Sequence, residues 1–210
     1  MPGIPRHEIA DLTRGNGELS FEARLHGREP QRIWLRSKTE VEPYPEAALA
    51  AMLMPTMRTG GKLTMSEPIS PRVLRMQREF QAIQRAWSHG WAFDDPPLEE
   101  VEVTAPVRPV ERRQPTGRVA VFFSGGVDSW STILGEEEVT DLIFVRGLDI
   151  LPIFAHQEGL ADRVEARLRA AADELGLRLH SVETNARELS EPNGPGYPEI
   201  RWESYYNSLL

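Results

Sequence analysis

The chain has 210 residues, of which 40% are hydrophobic and 27% charged, and it contains no cysteine. This composition is that of a globular protein, and the lack of thiols excludes disulfides, thiolate metal sites and a cysteine nucleophile. The net charge of -8 falls entirely on residues 118–210, which hold 16 acidic and 8 basic residues. Because acidic surfaces repel a phosphate backbone, we expect no extended nucleic-acid binding.

No apolar stretch approaches the roughly 20 residues that span a bilayer, and the N-terminus lacks the apolar core of a signal peptide. We therefore expect a cytoplasmic protein without a membrane partner. Residues 19–25 alternate apolar and polar side chains, which predicts a half-buried strand, and residues 32–36 follow as its return strand. Pro45 and Glu46 predict the start of a helix that runs through Met54, because proline is favoured in a first helical turn.

A second helix is predicted from Ser70, an N-cap residue before Pro71, to about His89. Its apolar residues recur at intervals of three and four: Val73, Met76, Phe80, Ile83 and Trp87. Such a stripe is typical of a helix face that packs on a core. We expect Trp34, Phe80 and Trp87 to lie in that core.

Residues 105–117 contain three prolines, which prevent a regular helix, and they are predicted to form a linker. The linker divides the chain into a small α+β domain of residues 1–104, in which no functional motif stands out, and a second domain of residues 118–210. Self-association into a homo-oligomer is expected from Leu209 and Leu210, which would leave an apolar helix face uncovered.

The second domain alternates strands and helices. A continuous apolar run at 119–123 predicts a strand covered on both faces, residues 141–145 predict a second buried strand, and residues 177–183 predict a third. A helix is predicted from about Glu158 to Leu175, with Gly176 as its C-terminal cap. This alternation implies parallel strands with right-handed crossovers, which is an α/β fold with a Rossmann-like sheet.

The turn after the first of these strands reads Ser124-Gly125-Gly126-Val127-Asp128-Ser129. Its glycines allow a tight turn and the close approach of a ligand to the backbone. The N–H groups of the turn and of the helix that it opens converge on one point, which makes an anion site. Asp128 would repel a phosphate directly, so its carboxylate indicates a bridging Mg²⁺.

This turn is neither a Walker A loop nor a Gly-x-Gly-x-x-Gly dinucleotide turn. It resembles the PP-loop of the N-type ATP pyrophosphatases, Ser-Gly-Gly-x-Asp-Ser between a buried strand and a helix. That adenine nucleotide alpha hydrolase-like superfamily includes asparagine synthetase, GMP synthetase and 7-cyano-7-deazaguanine synthase. The resemblance covers about residues 118–184 and implies a HUP-type sheet with its first three strands in the order third, second, first.

The resemblance also implies ATP and Mg²⁺ as cofactors and a ligase reaction. Such an enzyme adenylates a carbonyl or carboxylate oxygen of a small-molecule or peptide acceptor and releases pyrophosphate. Six residues would hold the phosphates: Ser124, Gly125, Gly126, Val127, Asp128 and Ser129. Asp128 would bind the metal, Asp128 and Ser129 are the catalytic candidates, and Phe123 and Arg146 would flank the adenosine. Polar residues beyond the strand ends are candidates by position alone: Asp149, Asn185 and Arg187.

The chain departs from that family in two respects. It has no cysteine for a glutaminase or a four-cysteine zinc site, and the further strands expected of such a domain do not appear before Leu210. We therefore expect an incomplete domain that turns over ATP poorly. Two alternatives stay open: a nucleotide-binding regulatory or defence-associated module without turnover, and a structural interaction domain whose loop is vestigial.

Overall fold

The computed structural model describes residues 3–37, 44–90, 97–109, 116–148, 150 and 159–190. In this part of the chain, eight strands form one mixed sheet and four α-helices pack on it, so the α/β class is confirmed. The strands are β1 (Arg6–Gly15), β2 (Glu18–Arg24), β3 (Gln31–Ser37), β4 (Gly61–Met65), β5 (Val101–Thr104), β6 (Val119–Phe122), β7 (Val139–Arg146) and β8 (Arg178–Thr184). The helices are α1 (Glu46–Met57), α2 (Pro71–Gly90), α3 (Val127–Gly135) and α4 (Leu160–Leu175), and a 3-10 helix spans Ala186–Leu189.

The strand order across the sheet is β5-β4-β1-β2-β3-β8-β7-β6. Strands β6, β7 and β8 are parallel, and they lie in the predicted order of third, second, first. Their carboxyl ends therefore share one edge of the sheet, where ligands bind in open parallel sheets. The left-handed Gly176 ends α4 as predicted, with a φ of 67°.

The N-terminal strands and the three parallel strands are joined through β3 and β8, which pair antiparallel with Leu35 opposite Thr184. The Thr184 hydroxyl donates to the Trp34 carbonyl at 2.7 Å, and the Trp34 amide donates to the Asn185 side chain at 2.9 Å. The sheet is thus continuous from one half of the chain to the other. The boundary between domains 1–104 and 118–210 stays a prediction.

Two apolar cores lie on this sheet. The larger packs α1, buried from Ala48 to Met57, on β1, β2 and β4. The smaller packs α3 and α4 on the parallel strands around Phe123, Leu142 and Leu168. In the described part of the chain, no helix has the length and apolarity needed to cross a membrane.

Two predictions about burial are wrong. Strand β6 is not covered on both faces, because it is the last strand at its edge of the sheet in the described residues, and Val119 and Phe122 are 37% and 43% exposed. The prediction that Trp87 lies in the core is wrong, because Trp87 is 55% exposed, and Met76 and Ile83 are 49% and 50% exposed. Val73 and Phe80, the other two residues of the α2 stripe, are half-buried and pack against the core, and Trp34 is also half-buried. The buried Gln77, Gln81 and Gln84 lie on the face of α2 beside the stripe, which no apolar periodicity could reveal.

The first part of the predicted linker is attached to the N-terminal half. Val107 bridges to Ile69, and the Arg108 guanidinium donates to Glu46 at 2.8 Å. Residues 110–115 lie outside the described part of the chain. The described beginning of this stretch therefore behaves as a docked segment rather than as a free connection.

Candidate functional site

The motif 124–129 lies at the carboxyl edge of the parallel strands, as predicted. The Phe123 amide donates to the Ile143 carbonyl at 2.8 Å, which fixes the start of the turn beside β7. Gly125 has a φ of 79°, a conformation that favours glycine, and a Cβ there would lie 2.9 Å from the Leu168 side chain. The fold itself therefore explains the glycine at position 125.

The fold does not explain the glycine at position 126. Gly126 has a φ of -78° and a ψ of 165°, which any residue adopts. Within the part of the chain that the structure describes, a Cβ at Gly126 would come within 4 Å of one atom, the Ser124 hydroxyl oxygen at 3.5 Å. A side chain is thus tolerated by the backbone and by the neighbours, and its absence leaves the space at the start of α3 open to a ligand.

Helix α3 begins without a side-chain cap. Gly126 is its N-cap residue, and among the described residues no side chain caps this helix start with a hydrogen bond. The first N–H groups of a helix have no partner within the helix, and together with the helix dipole they attract an anion. The amides of Val127, Asp128 and Ser129 are therefore the donors that this turn offers.

The two serines of the motif hydrogen-bond within the turn. The Ser129 hydroxyl donates to the Gly126 carbonyl at 2.9 Å, and the Gly126 amide donates to the Ser124 hydroxyl oxygen at 3.4 Å. The Ser124 hydroxyl proton remains available to an anion, whereas Ser129 orders the turn through its own hydroxyl. Ser129, a catalytic candidate by sequence, has here the geometry of a residue that stabilises the loop.

Asp128 presents its carboxylate to solvent in the first turn of α3. Its carbonyl oxygen accepts a bond from Thr132 at 3.0 Å, but among the described residues its carboxylate has no hydrogen-bond or ion-pair partner. No group of three or more metal-ligating side chains occurs in that part of the chain. One carboxylate fits Mg²⁺ if phosphate oxygens and waters complete the shell, which is how proteins commonly hold Mg²⁺ with a nucleotide.

A cleft of about 200 Å³ adjoins the turn, between the ends of β6 and β7 and the first turns of α4. Its walls are mainly apolar and include Phe122, Ile143, Val145, Leu148, Ile150 and Val164, with Ser124 at the side of the turn. Sites that enclose a whole drug-sized ligand measure about 300–1,000 Å³, so this cleft suits a planar fragment such as a nucleobase. An apolar cleft beside an anion site matches the two chemical ends of a nucleotide.

Arg146 also lines the cleft, but acidic side chains hold its guanidinium. It contacts Asp162 at 2.7 Å and Glu165 at 2.9 Å, both on α4. Burial alone would raise the pKa of Glu165, but hydrogen bonds from neighbours that include Arg169 and Arg146 outweigh it and lower that pKa. Arg146 therefore meets an ionised carboxylate and carries little free positive charge towards the cleft.

Phe123, the other predicted neighbour of adenosine, lines the cleft but is buried. Its side chain is 1% exposed and packs edge-to-face on Trp130 at a centroid distance of 5.1 Å. The exposed aromatic ring at this position is that of Phe122. The neighbours that sequence reasoning missed are apolar residues, Leu148, Ile150 and Val164, which carry no chemical signature in the sequence.

Candidates named by position alone have structural contacts. The Asn185 amide nitrogen donates to the Arg32 carbonyl at 2.9 Å, and its oxygen binds the Trp34 amide, so Asn185 joins β8 to β3. Arg187 donates to the Leu148 carbonyl at 2.6 Å and holds the segment that lines the cleft. Asp149 lies outside the described residues.

The opposite edge of the parallel strands carries a buried charge that sequence reasoning also missed. Asp141, with a side chain only 3% exposed, accepts hydrogen bonds from Arg118 at 2.9 Å, Thr140 at 2.6 Å and His180 at 2.7 Å. The Arg118 guanidinium is the main reason that the pKa of Asp141 lies well below its usual range despite burial. This cluster ties the starts of the three parallel strands together, away from the cleft.

No protein-family model, no curated protein and no solved structure matches this chain.

Proposed function

We propose that the turn 124–129 binds the phosphates of ATP, that Asp128 holds a Mg²⁺ ion against them, and that the apolar cleft takes the adenine ring. The proposal rests on one observation above the others. Gly126 has an ordinary backbone conformation and free space at its Cβ, directly before an uncapped helix N-terminus. The fold does not require glycine at this position, but an anion that binds close to the converging N–H groups does.

The reaction that we propose is that of the PP-loop ligases: attack of an acceptor carbonyl or carboxylate oxygen on the α-phosphate, with pyrophosphate as the leaving group. The amides of Val127, Asp128 and Ser129 would bind the pyrophosphate portion and stabilise the charge that develops on it. Mg²⁺ on Asp128 would neutralise the phosphate oxygens further. The HUP-type assignment and membership of that superfamily are part of this proposal.

Nucleotide binding without turnover is the second candidate, and the state of Arg146 favours it. Among the described residues that line the cleft, Arg146 is the one cation, and Asp162 and Glu165 engage it. Phosphoryl and adenylyl transfer draw on positive groups aimed at the charge of the transition state. A cleft whose cation is already paired is suited to holding a nucleotide more than to activating it.

The experiment that separates binding from folding is the variant Gly126→Val, compared with Gly135→Val at the other end of α3. Valine suits the extended backbone of Gly126, and no atom of the described residues lies within 4 Å of a Cβ at Gly135. We expect both variants to unfold near the parent temperature. In calorimetric titrations with Mg-ATP, Gly126→Val should bind at least about 100-fold more weakly because its side chain displaces the phosphate, and Gly135→Val should bind like the parent.

A further variant, Asp128→Asn, separates the metal from the loop. With Mg²⁺ present it should bind ATP about tenfold more weakly than the parent. With a chelator in place of Mg²⁺ it should bind at least as tightly as the parent, because the carboxylate that repels the phosphates is gone. Equal binding of ATP by Gly126→Val and the parent would contradict the phosphate site. Pyrophosphate release on addition of carboxylate or amide acceptors distinguishes the ligase from the non-catalytic module, since binding alone releases none.

A further inference from the structure

The 3-10 helix Ala186–Leu189 follows the last parallel strand but packs in the N-terminal half of the chain. Ala186 and Leu189 are 1% and 0% exposed and belong to the larger core, with α1 and the N-terminal strands. The Arg28 guanidinium donates to the Leu189 carbonyl at 3.2 Å. This burial fixes the position of the short helix, because a shift would expose its apolar side chains to water.

Arg187 extends from this 3-10 helix to the wall of the cleft. Its guanidinium donates to the Leu148 carbonyl at 2.6 Å, and hydrogen bonds from a charged donor are among the stronger ones in proteins. Leu148 is 3% exposed and lines the cleft, whereas Arg187 is not among the described residues that do. Arg187 therefore supports this wall from behind without lining the cleft itself.

The turn that carries Leu148 is held at a second point. Gly147 lies so close to the end of β8 that a Cβ there would overlap the Thr184 carbonyl oxygen. The Thr184 hydroxyl donates to the Trp34 carbonyl on β3, and the Asn185 side chain makes two hydrogen bonds to the backbone of the same strand. The Leu148 wall of the cleft is thus connected to the N-terminal sheet as well as to the parallel strands.

The phosphate end of the proposed site has different supports. The turn 124–129 follows β6, and β7 and β8 lie between that strand and β3 in the sheet. The Ser129 hydroxyl bonds the Gly126 carbonyl within the turn, and the Phe123 amide before it bonds the Ile143 carbonyl on β7. Loss of the Arg187 side chain should therefore loosen the wall of the cleft and leave the amides at the start of α3 in place.

We propose that Arg187 is a positioning residue for the base of the nucleotide, through which the N-terminal half of the chain sets the affinity of the cleft for that base. The inference rests on the proposed nucleotide site. A cleft of about 200 Å³ fits a flat ring closely, so its affinity depends on walls that hold their position before the ligand arrives. Arg187 supplies that support to Leu148, and the phosphates bind without it.

Calorimetric titrations with Mg-ATP and with inorganic triphosphate plus Mg²⁺ test this role, because the second ligand lacks the base. Arg187→Ala should bind Mg-ATP about tenfold more weakly than the parent and bind triphosphate like the parent. Arg187→Lys keeps the charge and a donor, and it should bind Mg-ATP within about threefold of the parent. The control Arg167→Ala removes the same charge from an exposed position on α4 and should bind both ligands like the parent.

A further variant, Asn185→Ala, tests the connection to the N-terminal half. It removes the two side-chain bonds to β3 and should also weaken the binding of Mg-ATP, by about threefold, and leave that of triphosphate unchanged. In thermal unfolding, Arg187→Ala should lose about 4 °C or less, because one half-buried side chain is changed.

The outcomes separate this role from the nucleotide site. If the parent binds Mg-ATP and Arg187→Ala binds it equally well, Arg187 does not position the base, while the nucleotide site stands. Equal weakening of Mg-ATP and triphosphate, or a much larger fall in unfolding temperature, would make Arg187 a residue of general stability and overturn the proposal. Unchanged binding of Mg-ATP by Asn185→Ala would overturn the part assigned to the N-terminal half. A parent that binds neither ligand would refute the nucleotide site and the positioning role together.

Discussion

Replacing the buried Asp141 by asparagine should destabilise the parallel half of the sheet while the shape of the side chain stays the same. The carboxylate receives hydrogen bonds from Arg118, Thr140 and His180 and also lies 3.2 Å from the Arg178 guanidinium. Breaking a fully buried charge pair costs about 3–5 kcal/mol. The Arg118 and Arg178 side chains are 44% and 60% exposed, so water already screens their attraction. We therefore expect Asp141→Asn to lower the free energy of unfolding by about 2 kcal/mol.

Urea denaturation at neutral pH measures this loss as a fall of about 1 M in the midpoint with an unchanged slope. The pH dependence of this difference in the free energy of unfolding is a second test. Folding lowers the pKa of Asp141 below its ordinary value of 3.8, so its stabilisation is present above that pH and is lost as the pH falls below it. The gap between parent and variant should close on acidification. A matched variant, Asp162→Asn, whose side chain is 72% exposed, should change little. A loss of less than about 0.5 kcal/mol for Asp141→Asn at neutral pH would show that the Asp141 carboxylate and its neighbours contribute little to the stability of the sheet.

Three more predictions concern the fold. Burial lowers the pKa of His7 in the folded chain, so on acidification the unfolded chain binds a proton first. The free energy of unfolding should therefore fall as the pH drops below about 6.5. Urea denaturation at a series of pH values should show this fall for the parent and not for His7→Asn. Gly147→Ala would place a Cβ against the Thr184 carbonyl at a φ of 86°, and we expect it to lower the free energy of unfolding by about 3 kcal/mol in urea denaturation. Gly117→Ala, at a φ of 69° and with no atom of the described residues within 4 Å of its Cβ, should lower it by about 1 kcal/mol. Limited proteolysis followed by mass spectrometry should find the first cut within residues 105–117, and a first cut elsewhere would contradict the linker.

The parallel strands and their order could be predicted because their sequence signals are local and strong. The apolar runs near Val121 and Ile143, with helices between them and Gly176 as a cap, leave few topologies once crossovers are right-handed. Strand β1 was missed because its pairing with β2 shifts register between Ala10 and Thr13, at a bulge where Asp11 has a φ of 47°, and this breaks the alternation of side chains. Strand β4 is short, and its pairing with β1 and β5 is a long-range contact.

The exposure of Met76, Ile83 and Trp87 on α2 could not be predicted, because periodicity identifies the apolar residues of a helix without saying which of them meet the core. The Gln81 side chain accepts from the Val101 amide at 2.8 Å and donates to the Val101 carbonyl at 3.1 Å, and these bonds to an edge strand twenty residues away keep the glutamine side of α2 inwards. The candidate site likewise has one part that the sequence predicts and one that it does not. The turn 124–129 was evident from its residue types, whereas the apolar wall of the cleft, with Leu148 and Val164, depends on tertiary packing. The pairing of Arg146 with α4 likewise has no signal in the sequence.

The nucleotide site can be seen directly in a crystal structure of the chain with Mg²⁺ and α,β-methylene-ATP, because this analogue cannot be cleaved between the α and β phosphates. We expect phosphate oxygens about 3 Å from the amides of Val127, Asp128 and Ser129. We also expect the metal between Asp128 and the phosphates, and the adenine ring against Ile143 and Val145. Phosphates bound elsewhere on the molecule, or an α3 N-terminus that stays free of the analogue at saturating concentration, would contradict the proposed nucleotide site.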